Sequence, residues 1–84
     1  MNVMEHPSEL ELLLAADLSP REREICDLLA EGVLNSEIST QLKISPRTVE
    51  MHRLRAMRKL GVRSTAQLVR RVLIASFEAR GMVI

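Results

Sequence analysis

This chain of 84 residues is short of the residues that usually anchor a small core or a reactive centre. It has no tryptophan and no tyrosine, and Phe77 is its one aromatic residue. A hydrophobic core must therefore be built from leucine, isoleucine, valine and methionine. It has one cysteine, Cys26, so no intrachain disulfide framework can form, which fits a reducing compartment. Two histidines, with no cysteine or carboxylate at ligand spacing beside them, give no metal site. No apolar run approaches the ~20 residues that cross a bilayer, and the N-terminus has no signal-peptide pattern. No nucleophile–base arrangement and no glycine-rich phosphate loop is present, so an enzyme is not expected.

What is there is mostly aliphatic and charged. Hydrophobic residues make up 46% of the chain, enough for a folded domain. A chain this short buries only about two-thirds of its unfolded surface, so a partner subunit would help it. The net charge of +1 conceals two opposed halves. Residues 1–31 carry eight acidic and two basic side chains, a net of −6; residues 32–84 carry ten basic and three acidic ones, a net of +7. A basic half fits a polyanionic partner, although two solvated faces of opposite sign would look the same.

Helix punctuation organises the chain. Met1–Pro7 reads as a loose arm that includes His6. Ser8-Glu9-Leu10-Glu11 reads as a capping box that opens a short helix to about Ala16, with Leu10, Leu13 and Leu14 on one face. Ser19-Pro20-Arg21-Glu22 is a second box, opening a helix with Ile25, Leu28 and Leu29 as its core stripe and a stop before Gly32. Cys26 beside that stripe reads as a small buried hydrophobe. Asn35 is a candidate cap for a short helix with Ile38 and Leu42 inward. Lys43-Ile44-Ser45 leaves room only for a sharp turn, in which Ser39 permits close crossing and Ile44 plugs the gap. Ser64-Thr65-Ala66-Gln67 opens a last helix to about Arg80, stopped by Gly81. No alternating strand pattern competes, so the fold expected is all-α.

The segment from Ser45 to Gly61 carries most of the functional signal. Ser45 suits the N-cap, Pro46 the first helical position and Gly61 the position after the last turn. At about 100° per residue, Val49, His52, Ala56, Met57 and Leu60 gather on one side. Arg47, Met51, Leu54, Arg55 and Arg58 gather on the other, with Glu50 at the edge. An outward face that mixes arginines with Met, Leu and one Glu fits a helix lying in a DNA major groove. The arginines would contact phosphate or guanine, Glu50 would accept from a cytosine amino group, and Met51 and Leu54 would pack on thymine methyls. His52, on the inner side, reads as a packing residue.

With these residues in view, the chain resembles the DNA-binding domain of the LuxR/FixJ/GerE family of bacterial transcription regulators. The resemblance runs from Leu18-Ser19-Pro20-Arg21-Glu22 to Ile25, through Gly32 and Asn35-Ser36-Glu37-Ile38, to Leu42 and the Ser45–Arg53 stretch. It continues through Met57–Ser64 and Gln67-Leu68-Val69. It implies a four-helix domain over 18–80, preceded here by an arm and short acidic helix over 1–17. It implies a homodimer on double-stranded DNA, with the helix carrying 47–58 as the reading helix and the last helix at the dimer contact. Base contacts then fall on Arg47, Glu50, Met51, Leu54 and Arg55, and backbone contacts on Asn35, Ser36, Thr48, Arg53, Arg58 and Lys59. Ser36 stands where the family more often has a basic residue, Arg55 where it has Asn or Lys, and Ala56 where it has a larger aliphatic. The last helix has two apolar faces, more than one ≳100° stripe requires. Leu68, Val72, Ala75 and Ala79 should pack on the domain. Ala66, Val69, Leu73 and Phe77, with Ile74 at the rim, are left for the dimer contact unless the N-terminal helix covers them. The expected setting is the bacterial cytoplasm, at inverted-repeat promoter sites, with no cofactor. The chain is expected to be either a stand-alone GerE-like regulator, which the Met1 start and the stretch past the domain favour, or a fragment of something longer. RNA polymerase or a larger LuxR-type regulator is a further expected partner. An alternative is a short regulator that heterodimerises with such a larger protein and inhibits it. A sigma-factor-like promoter module shares a related helix-turn-helix, but lacks the matches at 18–25 and 61–64.

Overall fold

The computed structural model describes residues 7–81, and every regular element among them is an α-helix. The order is α1 (Glu9–Ala15), α2 (Pro20–Ala30), α3 (Asn35–Leu42), α4 (Pro46–Leu60) and α5 (Thr65–Ala79). Most of the expected arm, with His6, lies outside the described residues, as does the stretch past Gly81.

The helix starts follow the sequence signals with informative exceptions. Ser19 forms the full capping box: its hydroxyl accepts from the Glu22 amide, and Glu22 accepts from the Ser19 amide. Ser45 caps α4 by accepting from the Thr48 amide, with Pro46 in the first turn. Ser8 makes only its own half of the expected box, accepting from the Glu11 amide. Ser64 likewise accepts from the Gln67 amide, but Gln67 reaches back to Arg63 rather than to Ser64. Asn35 is not a cap. Leu34 holds that position with a side chain that cannot accept, and Glu37 closes the start alone by accepting from the Leu34 amide.

Two clusters of buried residues hold the helices. The larger contains Leu13, Cys26, Ala56, Met57, Leu60, Leu68, Val72 and Ala75. The smaller contains Ile25, Ile38 and Val49, with Leu28, Val33, Leu42 and Ile44 packed around it. Leu29 packs against both. Helix α2 is the central strut, touching α3, α4 and α5. Helix α1 lies on α5, where Glu9 pairs with Arg71 at 2.6 Å and the Leu10 amide donates to Glu78. Leu13 is its buried anchor, Leu10 is half-buried, and Leu14 is exposed rather than sharing their face.

Between α3 and α4 the chain turns in three residues. Lys43 takes a left-handed conformation at φ 56°. The Ile44 amide donates to the Ser39 carbonyl, and the Ser39 hydroxyl donates to the Ile44 carbonyl at 2.6 Å. The role of Ser39 is thus to close the turn by hydrogen bonding, beyond merely being small. Ile44 does plug the gap, against the Ile25–Ile38–Val49 cluster. Gly61 ends α4 at φ 69°, a conformation that disfavours a Cβ.

Candidate nucleic-acid interface

Helix α4 divides as its periodicity implies. Val49 and Ala56 are wholly buried and Met57 and Leu60 nearly so. His52 is half-buried on the same side. Arg47, Glu50, Met51, Leu54, Arg55 and Arg58 are exposed. Two large apolar side chains, Met51 at 42% and Leu54 at 45%, stand in the open beside the arginines. With Arg47, Thr48 and Glu50 they line one shallow depression. An apolar hollow bordered by one cationic and one anionic side chain suits a base edge with a phosphate beside it.

Three arginines on this face are free to act. Arg47, Arg55 and Arg58 have no ion-pair or side-chain hydrogen-bond partner among the described residues, whereas Arg21, Arg23, Arg53, Arg71 and Lys59 are all engaged. The first turn of α4 has no acidic residue, and Arg47 sits there against the positive end of the helix dipole. That placement opposes helix stability and favours an anion brought from outside. Asn35 and Ser36 lie exposed in the first turn of α3. Thr48 is half-buried, and its hydroxyl shares a 2.8 Å hydrogen bond with that of Ser45.

Two residues expected at the DNA backbone are engaged inside the protein. Lys59 donates to Glu22 at 2.7 Å and to the Asp17 carbonyl. Glu22 is 4% exposed, and the Lys59 hydrogen bond is the main reason its carboxyl is held below the usual value, despite burial pulling the other way. Arg53 is mostly covered. Its Nη1 donates to Thr65 Oγ1 at 2.8 Å and its Nη2 meets Glu50 Oε1 at 3.3 Å. Sequence periodicity could not reveal the Lys59–Glu22 and Arg53–Thr65 ties, because they reach across to other helices. Cys26 is fully buried, and burial pushes its thiol up to about 11, so it is not a nucleophile.

The second apolar face of α5 is partly open. Leu73 and Phe77 are 41% and 40% exposed, Ala66 is exposed, and Val69 and Ile74 are half-buried. Helix α1 docks on the Arg71–Glu78 edge and does not cover Leu73 and Phe77, which border a groove against α2. Ala79, expected inward, is exposed, whereas Leu68, Val72 and Ala75 are buried.

Among the described residues no helix is long and apolar enough to cross a membrane, and no His, Cys, Asp and Glu side chains cluster as a metal site. No solved structure gives a significant match to the chain. Relatives do. The chain is 45% identical over 60 residues to the tetrathionate response regulatory protein TtrR of Salmonella typhimurium, a match covering 71% of this chain and 29% of TtrR. It is 44% identical over 55 residues to the transcriptional regulatory protein UhpA of Escherichia coli, covering 66% of this chain and 28% of UhpA. It is 45% identical over 60 residues to the transcriptional regulatory protein FixJ of Azorhizobium caulinodans, covering 71% of this chain and 28% of FixJ. The chain thus spans under a third of the length of these relatives. Residues 16–72, which hold α2, α3, α4 and the turn between them, match the model for bacterial regulatory proteins of the luxR family. The chain belongs to the luxR family of bacterial regulatory proteins and carries its helix-turn-helix DNA-binding domain, which is not an enzyme.

Proposed function

We propose that this chain is a sequence-specific transcription regulator that binds an inverted-repeat site as a homodimer, with α4 in the major groove. The observation that carries the reading is the outward face of α4, where three unpaired arginines surround exposed Met51 and Leu54. Arg47, Glu50, Met51, Leu54 and Arg55 read base edges; Asn35, Ser36, Thr48 and Arg58 hold phosphates. Lys59 serves the fold through Glu22. Ala66, Val69, Leu73, Ile74 and Phe77 form the dimer contact, and the two reading helices enter successive major grooves about one turn apart. The protein works in the cytoplasm, where its DNA target lies.

Affinity for genomic fragments as a function of salt tests the reading. The wild type should select particular fragments, with affinity falling steeply as salt rises. Arg47→Ala and Arg58→Ala together should weaken binding, with the log–log salt slope falling by about one for the phosphate contact of Arg58 and the preference at one base position relaxing for Arg47. Weak, unselective binding that the double variant shares would overturn the proposal and point instead to a larger luxR-family protein as the partner.

A further inference from the structure

We propose that Thr65 and Arg53 form a positioning relay that fixes the Glu50 carboxylate for base readout, so that a hydroxyl on α5 governs specificity on α4. The inference rests on the DNA-reading role of α4 given above. It concerns how one reading side chain is held.

Arg53 and Glu50 are three residues apart on α4, and their side chains are 16% and 57% exposed. An ordinary exposed pair of this kind contributes little, because two long side chains must be ordered to make it. Here one of them is already ordered by the fold. Arg53 Nη1 donates to Thr65 Oγ1 at 2.8 Å and to Met57 Sδ at 3.3 Å. Its Nε is buried without a partner. The guanidinium plane is therefore clamped along one edge, and its other edge, through Nη2, faces Glu50 Oε1 at 3.3 Å.

The geometry leaves a division of labour on the carboxylate. Oε1 is held by Arg53, and Oε2 has no hydrogen-bond partner among the described residues. A free, oriented carboxylate oxygen suits the exocyclic amino group of cytosine. Ordering Glu50 before DNA arrives removes an entropy cost that would otherwise be met on binding. Thr65 is the first residue of α5, so the relay links the reading helix to the helix that carries the dimer face.

The experiment uses the 84-residue chain and a randomised duplex pool. Selection with the wild type and with Glu50→Ala identifies the base pair whose preference depends on Glu50. Affinities are then measured on four duplexes that differ only at that pair. Thr65→Val, which keeps shape and removes the hydroxyl, should lower the preference by about 2- to 10-fold, the range set by immobilising one long side chain. Thr65→Ser should retain the preference. Arg53→Met should weaken it like Thr65→Val, with the salt slope unchanged. Wild-type preference in Thr65→Val would overturn the relay. So would an Arg53→Met protein that keeps the preference while its salt slope falls by about one, the mark of a phosphate contact. A wild type that selects no sequence, or a Glu50→Ala protein with every preference intact, would overturn the underlying reading instead.

Discussion

Glu22 does two jobs with one carboxylate. It closes the capping box with Ser19 and pairs with Lys59, so the start of α2 is tied to the end of α4. The box was legible in the sequence, because its parts lie three residues apart. The ion pair was not, because its partners are 37 residues apart and nothing local joins them. Glu22→Gln leaves Lys59 with a weaker acceptor, and should lower stability at pH 7 by about 1–3 kcal/mol. The folded carboxyl titrates below its ordinary value of 4.5, so ionised Glu22 contributes stability throughout the range above 4.5. That contribution declines as pH falls below 4.5 and is gone once pH lies beneath the folded value. Urea midpoints from pH 7 to pH 3 should therefore show the Glu22→Gln penalty shrinking at the acid end. A penalty that stays constant would remove the ionised contact as its cause.

At the scale of elements, the α3–α4 turn combines one strained residue with one compensating bond. Lys43 occupies left-handed space without being a glycine, at a cost of roughly 1–2 kcal/mol. Lys43→Gly should raise stability by up to about 1 kcal/mol, the gain being trimmed by the flexibility of glycine in the unfolded chain. Ser39→Ala should act in the opposite direction, by about 0.5–1.5 kcal/mol, because the Ile44 carbonyl loses its donor. Urea melts with unchanged slope would check both signs. The existence and order of all five helices could be read from caps and periodicity. The exceptions arise where a loop residue took a role that its type does not advertise. Leu34 displaced Asn35 as the cap because Glu37 supplied the bond instead. The two faces of α4 followed from a strict period, but Arg53 and Lys59 were expected at the DNA backbone only by resemblance; their long stems carry the charges to α5 and α2.

For the whole molecule, the open question of packing was which surface α1 covers. The N-terminal helix was the alternative cover for the second face of α5, yet Glu9 ties to Arg71 and the Leu10 amide to Glu78, which seats α1 on the neighbouring edge. The burial of Leu13 and these polar ties together set the seat of α1. Leu73 and Phe77 therefore remain available to a second copy of the chain. Phe77→Glu should convert a dimer to a monomer in light scattering while leaving the helical content unchanged. An intact dimer would move the contact elsewhere.

The unequal division of the core has a consequence for how the molecule breathes. Three buried residues secure α3 and the first half of α4, against eight for the rest. Leu29 is common to the packing of both. The two halves form cooperative units of different free energy, and the smaller one opens first. In native-state amide exchange, α3 should exchange through partial opening well before the central amides of α5, and Leu29→Ala should widen the gap. The half that carries α3 and the start of the proposed reading helix is then the compliant half, able to settle onto a duplex of varied shape while the other half keeps its form.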